Sequence, residues 1–353
     1  MTADIDRWMG RLASLLESME GDGRVFVLTH DNPDPDALAS AAAMAVLLRE
    51  ATGVSPRVAF GGIVGRVENR AMIQEMEIEF ERIEDIDVSR AGAIAMVDTQ
   101  PRAGNNSLPP GRIVSAVVDH HPARSDTAIQ FTDVRPELGA CASMMVQYLR
   151  AADIEPDPWL ASALFYAIQA ETADLSREAT EEDVEASTYL YGRADPEVMS
   201  RIRHARVPAS YFRALHEALA AARQYDRVVV APLEALPYPD MVAEIADLML
   251  QMKGIDWTVA LGRYRDRLLV SVRAAAPDAH AGSLVREAFG DRGSAGGHGT
   301  FAGGQIDLRG KSEEEIASVR DDVLTDLLVG LGVDREAEVP LVPKSGAPHE
   351  EST

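Results

Sequence analysis

The sequence is poor in cysteine and in long apolar runs. Cys141 is the single cysteine among 353 residues, so a disulfide within the chain is excluded, and we interpret it as a buried structural thiol. No apolar run is long enough to cross a bilayer. The first residues, MTADIDRWMGRL, carry acids where a signal peptide needs basic and apolar regions. We therefore expect a cytoplasmic protein without a membrane partner.

Positive charge is also scarce. The chain has 34 Lys and Arg against 57 Asp and Glu, which gives a formal net charge of −23. Such a balance argues against tight, salt-driven binding of long duplex nucleic acid, although a local pocket for a small anion is compatible with it. The apolar fraction of 46% is sufficient for sizeable cores, and the length indicates two domains.

Three apolar runs in the first half of the chain each stop at an acid or a histidine. The runs cover residues 25–28, 93–97 and 113–118, and each is typical of a short buried strand. The side chains that follow them are His30, Asp34 and Asp36, then Asp98, then Asp119, His120 and His121. Because a parallel sheet brings neighbouring strand ends together, these groups are expected to converge.

The first of these strands leads into a helix over residues 37–49, and we expect Asp36 to be its N-cap. Taken alone, this stretch could be an acidic loop with a helix cap. Together with the two later runs, it favours a cluster of ligands at one edge of a sheet.

Strand patterns alternate with helical ones up to about residue 190, and helical patterns then dominate. This order predicts an α/β fold with a doubly wound, mainly parallel sheet over residues 1–190 and a helical linker over 191–225. The composition changes at Asp226, and we expect a smaller α/β domain over 226–332. Residues 333–353 are rich in Pro, Glu and Ser and are predicted to be disordered. We interpret the acidic run at 181–183 as a solvated helix N-terminus.

Carboxylates and imidazoles without thiolates are typical ligands for Mn²⁺, Mg²⁺ or Co²⁺. Six or seven such ligands are too many for one catalytic ion, which needs open positions. They suit two divalent ions about 3.5–4 Å apart that share one carboxylate. We expect Mn²⁺, with Mg²⁺ and Co²⁺ as alternatives.

Four motifs in this order resemble those of a known family. HDNPDPDA (30–37), VDTQ (97–100) and VDHHP (118–122) resemble the first three motifs of the DHH phosphoesterase superfamily. GGHGTFAGG (296–304) resembles the glycine-rich motif of its DHH-associated C-terminal domain. Each motif is weak alone, but together they span nearly the whole chain at domain-like spacing.

The resemblance implies how two ions would be held. His30, Asp34 and Asp98 would hold one ion. Asp36, Asp98 and His120 would hold the other, so that Asp98 bridges the pair. It also implies that a homodimer can form.

The resemblance implies further roles near the ions. Asp119 would orient an imidazole. His121 would face the scissile phosphate and stabilise charge or protonate the leaving oxygen, although a structural role is its alternative. The family usually offers an Asp as a fourth-motif ligand, and ungapped alignment of AIQAETADLSREAT places Glu171 there. Asp174 is the competing candidate.

The second domain is implied to bind the part of the substrate that lies away from the ions, with the active site between the two domains. Glycine amides can form an anion-binding concavity, and a histidine and an arginine nearby can contact phosphate. The alternative is a glycine-rich turn at a sheet edge. The candidates are Arg273, Gly296, Gly297, His298, Gly303 and Gly304.

The sequence therefore predicts a metal-dependent phosphoesterase that acts on short nucleotides. The expected substrates are di- to oligoribonucleotides, 3′-phosphoadenosine 5′-phosphate or cyclic dinucleotides, as in the oligoribonuclease and phosphoadenosine phosphatase branch that the chain resembles. One alternative is an inorganic polyphosphatase or pyrophosphatase. A nucleotide-binding protein with impaired catalysis is the other, because Glu replaces Asp in the fourth motif.

Overall fold

The computed structural model describes residues 2–21, 23–76, 78–124 and 129–342. The chain divides into two compact units, the first ending at Arg206 and the second beginning at Val207. Among the described residues, no helix combines the length and the apolar character that a membrane span requires.

The first unit is built on a six-stranded sheet with the order β3-β2-β1-β4-β5-β6. All five strand pairs are parallel, which confirms the predicted doubly wound α/β architecture. The strands are β1 (Arg24–Leu28), β2 (Arg57–Phe60), β3 (Phe80–Arg82), β4 (Ala91–Val97), β5 (Ala116–Asp119) and β6 (Phe131–Val134). The three predicted apolar runs correspond to β1, β4 and β5, whereas the short β3 and β6 were not predicted, because polar residues interrupt them.

The described part of this unit also contains seven α-helices. They are α1 (Thr2–Ser18), α2 (Pro35–Thr52), α3 (Val67–Glu75), α4 (Cys141–Ala151), α5 (Pro158–Glu171), α6 (Glu181–Tyr191) and α7 (Pro196–Arg203). Helix α2 packs against both α4 and α5. Its residues 36–48 are all buried, with six alanines among them, so neighbouring elements approach it closely.

The N-cap of α2 is Asp34, and the prediction of Asp36 was wrong. Asp34 has an extended backbone, and its Oδ1 accepts a hydrogen bond from the Ala37 amide at 3.0 Å. Pro35 occupies the first helical position, where its missing N–H costs nothing and its φ suits a helix. Asp36 therefore lies inside the first turn, and its carboxylate is available for another role.

The second unit contains a mixed sheet with the order β11-β12-β10-β9-β8-β7-β13. Only the pair β8 and β9 is parallel among the described strands of this sheet. The strands are β7 (Arg223–Tyr225), β8 (Val228–Ala235), β9 (Trp257–Tyr264), β10 (Arg267–Ala274), β11 (Ser294–His298), β12 (Phe301–Asp307) and β13 (Val339–Pro340). The helices are α8 (Ala209–Ala221), α9 (Met241–Leu250), α10 (Ala281–Phe289) and α11 (Glu313–Gly330).

The expected linker is divided between the two units, and the expected tail belongs to the second unit. Residues 191–225 include α7, which belongs to the first unit, and α8, which belongs to the second and packs on β8. Within the expected tail, β13 pairs with β7, and residues 343–353 lie outside the described part of the chain.

Candidate metal centre

The candidate site lies where β1, β4 and β5 end. His30 follows β1, Asp98 follows β4, and His120 and His121 follow Asp119 at the end of β5. Since β1, β4 and β5 are neighbours in a parallel sheet, their carboxyl ends share one edge. The predicted convergence of these side chains is therefore present in the structure.

Asp98 stands at the centre of this group and is only 1% exposed. Its Oδ2 lies 3.4 Å from Nε2 of His30, and its Oδ1 lies 3.4 Å from Nε2 of His120. Oδ1 is buried and has no hydrogen-bond partner among the described residues. The backbone of Asp98 is left-handed, with φ of 56°, a conformation that aspartate tolerates better than most residues. The two oxygens of one carboxylate therefore face two different imidazoles.

Two sets of three side chains meet the spacing of metal ligands. In one set the ligand atoms of His30, Asp34 and Asp98 lie within 4.8 Å of one another. In the other set the same holds for Asp98, His120 and His121. Asp98 is the member that both sets share, and the second set contains His121 where the resemblance implied Asp36.

The orientation of the imidazoles supports a cation between these groups. Nδ1 of His30 lies 3.0 Å from the Asp31 carbonyl oxygen, and Nδ1 of His120 lies 3.1 Å from the Leu138 carbonyl oxygen. A carbonyl oxygen only accepts, so Nδ1 carries the proton in the neutral ring and Nε2 presents a lone pair. That lone pair faces a carboxylate oxygen of Asp98, an arrangement that a divalent ion would satisfy. The residues present therefore fit divalent ions.

The pKa shifts within the cluster reflect how close its ionisable side chains lie to one another. Burial alone would lower the pKa of His30 and His120, but interactions with nearby carboxylates, Asp98 among them, raise both well above the ordinary value. Burial, together with the charge of Asp98, raises the pKa of Asp36 well above its usual range. The cluster thus holds more negative charge than its imidazoles neutralise.

Asp36 touches both the cluster and the start of α4. Its Oδ2 lies 3.6 Å from Nε2 of His120. Its two oxygens accept the amides of Cys141 and Ala142, each at 2.7 Å. Asp36 therefore caps α4 and not α2, because Ala140, the N-cap residue of α4, has no side-chain acceptor.

The two candidates for the fourth motif have different environments. Glu171 is the last residue of α5, and burial, followed by the charge of Asp34, raises its pKa to about 7. Its carboxyl therefore lies within the electrostatic field of the cluster. The side chain of Asp174 is 75% exposed and lies 3.8 Å from Arg203. Glu171 thus interacts electrostatically with the cluster, whereas Asp174 is a mostly exposed acid beside an arginine.

Asp119 is buried and orients His121. Its Oδ1 lies 2.9 Å from Nδ1 of His121 and accepts the His121 amide at 3.1 Å. Its Oδ2 accepts a hydrogen bond from Nε2 of Gln100 at 2.7 Å. Gln100 also accepts the Arg124 amide at 2.8 Å, so it ties β4 to the loop after His121. Sequence reasoning missed Gln100, although its place two residues after Asp98 was a usable signal.

Close packing explains two of the glycines in the glycine-rich strands of the second unit. Gly297 has φ of 144°, and a Cβ there would lie 2.4 Å from the Phe301 carbonyl oxygen. A Cβ on Gly304 would lie 2.5 Å from the ring of Phe289. Gly303 pairs with Ser271 across the sheet.

Arg273 lies on β10 and its guanidinium lies 5.9 Å from the Phe301 ring centroid. It forms an ion pair with Asp247 and donates a hydrogen bond to Ser271 Oγ at 2.8 Å. A Cβ on Gly296 would meet nothing within 4 Å, so the backbone there is open. His298 belongs to β11, but its side chain lies outside the described part of the chain.

Comparison with known proteins covers most of the chain. The model of the DHH family, N-terminal domain, matches residues 24–168, and the DHHA1 domain matches residues 226–326. An uncharacterized protein of Methanocaldococcus jannaschii is 34% identical over 321 residues, which are 88% of this chain and 65% of that protein. The chain thus spans just under two thirds of the length of this relative.

Two solved structures are similar to the chain at low sequence identity. An exopolyphosphatase-related protein from Bacteroides fragilis has a TM-score of 0.64 and 15% identity, over 92% of this chain and 98% of that chain. RecJ from Thermus thermophilus in complex with Mn²⁺ has a TM-score of 0.46 and 15% identity, over 91% of this chain and 55% of that chain.

Proposed function

The chain belongs to the DHH phosphoesterase superfamily and carries its C-terminal DHHA1 domain, and from this premise we propose that it hydrolyses phosphate esters of short nucleotides. The observation that carries the proposal is the position of Asp98, whose two oxygens face two separate imidazoles. A carboxylate in this position is suited to bridge a pair of divalent ions.

We assign the ligands as the sequence implied them. His30, Asp34 and Asp98 would hold one ion, and Asp98, Asp36 and His120 would hold the other. Glu171 would complete the second set, because its carboxyl lies in the field of the cluster. The bound ions, Mn²⁺ or alternatively Mg²⁺ or Co²⁺, would supply a water activated at neutral pH and neutralise phosphoryl charge.

His121 is proposed as the residue that contacts the scissile phosphate. Burial alone would lower its pKa, but the hydrogen bond with Asp119 and the charge of Asp98 raise it. A raised pKa favours the protonated form of this ring, which is the form that can donate a proton to a leaving oxygen. The His121 side chain is 38% exposed, so solvent and a small substrate have access to it. Asp119, in turn held by Gln100, fixes the ring orientation.

Charge supports short substrates. A net charge of −23 disfavours a long polyanion, whether nucleic acid or polyphosphate, far more than a nucleotide with two or three phosphates. In the second unit, Arg273 and Phe301 are paired across β10 and β12 beside glycine backbone, a combination suited to a nucleotide. We propose dinucleotides, short oligoribonucleotides, 3′-phosphoadenosine 5′-phosphate or cyclic dinucleotides as the substrate class.

A turnover assay with Mn²⁺ tests the proposal. The purified chain is offered a dinucleotide, 3′-phosphoadenosine 5′-phosphate, a cyclic dinucleotide, pyrophosphate and polyphosphate, and kcat/KM is compared. We expect turnover of at least one short nucleotide and none by the Asp98→Ala variant. Turnover of pyrophosphate or polyphosphate alone would contradict the substrate class. Nucleotide binding without turnover of any substrate would contradict the hydrolase assignment.

A further inference from the structure

A second buried carboxylate lies outside the proposed ligand set. Asp183, in the first turn of α6, is completely buried, so the interpretation of this acidic run as solvated was wrong for this residue. Its Oδ2 accepts the Gly139 amide at 2.9 Å and the Thr180 amide at 2.8 Å. Its Oδ1 accepts the hydroxyl of Ser143 at 2.5 Å. A buried carboxylate with this many donors holds the elements that supply them.

Two of these donors belong to the segment of residues 138–143, which leads into α4. Nδ1 of His120 lies 3.1 Å from the Leu138 carbonyl oxygen, which belongs to the same segment. The amides of Cys141 and Ala142 bind Asp36. The segment 138–143 is therefore held by Asp183 on one side and orients two predicted ligands, His120 and Asp36, on the other.

The segment is packed too tightly to shift without consequence. A Cβ on Gly139 would lie 2.8 Å from both Asp183 Oδ2 and Thr172 Cγ2, and 3.0 Å from the Glu178 carbonyl oxygen. Thr172 directly follows Glu171, the candidate fourth-motif ligand. Asp183 thus fixes the place where α4 and the end of α5 meet.

The other predicted ligands do not depend on this segment. His30 is oriented by the carbonyl oxygen of its neighbour Asp31, and Asp34 by the Ala37 amide of its own helix. Both contacts are local to the loop between β1 and α2. A change at Asp183 would therefore reach one end of the cluster and not the other.

We propose that Asp183 is a positioning residue for one ion of the pair. Through the segment 138–143 it sets the orientation of His120 and Asp36, and hence the affinity of the ion that these residues share with Asp98. The ion held by His30 and Asp34 is unaffected. This inference rests on the proposed function, because it presupposes two ions.

Calorimetric titration with Mn²⁺ tests the inference without an activity assay. The wild-type chain is expected to show two binding events. Asp183→Asn should weaken one of them by about 10- to 100-fold, the usual cost of losing a group that orients a ligand, and leave the other unchanged. Asp195→Asn is the matched control, because Asp195 caps α7 through the Glu197 amide and contacts no part of the segment 138–143. This variant should bind both ions as the wild type does.

Ser143→Ala provides a milder change if Asp183→Asn does not fold. It removes the hydroxyl that donates to Asp183 and leaves every backbone contact, and a several-fold weakening of the same single event is expected. In the Co²⁺-loaded variants, the visible absorption of one ion only should change. Equal weakening of both events, or of neither, would overturn the inference and leave the proposed function intact. A wild-type chain that binds fewer than two ions would overturn both.

Discussion

Two buried aspartates of the same sheet have opposite surroundings. Asp133 on β6 is 2% exposed and is held by Arg11, by Arg135 at 3.0 Å and by the Tyr148 hydroxyl at 2.7 Å. Asp98, at the end of β4, is 1% exposed and faces imidazoles and other acids. Asp133 has permanently charged arginines as partners, whereas the partners of Asp98 are imidazoles, whose charge depends on their protonation.

The difference separates a structural charge from a functional one. Arg11 of α1 binds Asp133, and Arg135 lies over the ring of Trp8, 4.7 Å from its centroid, so the Asp133 cluster attaches α1 to β6. A buried carboxylate in the company of Asp34 and Asp36 is costly unless a cation joins it. We therefore expect the Asp98 cluster to be neutralised by bound cations.

The largest expected effect comes from breaking the Asp98 cluster. Asp98→Ala should lower phosphoesterase turnover by about a thousandfold, because several kcal/mol of transition-state stabilisation depend on the ions. It should also abolish the stabilisation by Mn²⁺, which for the wild type is about 2.7 kcal/mol at a hundred times Kd. Thermal unfolding with Mn²⁺ and with EDTA measures the second effect. A variant that still unfolds later with Mn²⁺ would contradict the assignment.

Breaking the Asp133 cluster should act on stability alone. Asp133→Asn leaves buried arginine charge uncompensated and should lower the free energy of unfolding by about 3–5 kcal/mol, equally with Mn²⁺ and with EDTA. Burial alone would raise the pKa of Asp133, but Arg11, Arg135 and Tyr148 lower it. The contribution of Asp133 to the free energy of unfolding is therefore present at neutral pH and lost as the pH falls below about 4.

Urea unfolding at pH 7 and at successively lower pH checks this expectation. The matched control is Asp256→Asn, which breaks an exposed pair with Arg227 and should cost less than about 1 kcal/mol. A loss of stability that depended on Mn²⁺ would show that the two clusters are not independent.

A smaller effect is expected beside the cluster. Gln100→Leu removes the donor to Asp119 Oδ2 and should reduce kcat by about 10- to 100-fold through misorientation of His121. The number of bound Mn²⁺ ions should not change, since neither residue is in the proposed ligand set. Gln251→Leu, at an exposed position of the second unit, is the control. Unchanged kcat in the Gln100 variant would assign Gln100 to folding only.

The comparison also predicts a difference in pH dependence. The raised pKa values of His30 and His120 mean that an incoming ion must displace protons, so the apparent affinity for Mn²⁺ should fall as the pH is lowered. The slope should be roughly tenfold per pH unit for each proton released. Titrations between pH 6 and 8, in buffers of different ionisation enthalpy, measure the protons. An affinity that is constant over this range would contradict the ligand assignment.

The smallest effect is expected outside the cluster. Asp174→Asn keeps a residue type that tolerates the left-handed backbone there, with φ of 55°, and removes a mostly exposed charge. Turnover and Mn²⁺ binding should stay within twofold of the wild type. Glu171→Gln should lower the affinity for one ion by tenfold or more. The reverse ranking of the two variants would assign the fourth-motif ligand to Asp174.

The sequence predicted the part of the fold that depends on local pattern. Continuous apolar runs identified β1, β4 and β5, and the residues after them converge in the structure as expected. Strand β6 was missed because FTDV places a charged residue in a strand, which is favourable only once Arg11, distant in the sequence, joins Arg135 in neutralising it. Such partners cannot be inferred from a single stretch of sequence.

The surroundings of the candidate site were less predictable than its ligands. The choice of Asp34 over Asp36 as the cap of α2 follows from the preference of proline for the first helical position, a rule available from the sequence. The contact of Asp36 with α4, about 105 residues later, required the tertiary structure. The same is true of Asp183 and Gln100, whose partners lie 40 and 19 residues away along the chain.

The alanines of α2 determine how closely the neighbouring helices approach it. Methyl groups are the only side chains that Ala39, Ala42 and Ala43 place between this helix and its neighbours, so the backbones of α2, α4 and α5 approach closely. A bulkier residue at one of these positions would push α2 away from α4 and α5. It would move the Asp36 carboxylate out of reach of the Cys141 amide, although no ligand had been altered. The position of Asp36 beside the Cys141 amide thus depends on the small size of the alanine side chains of α2.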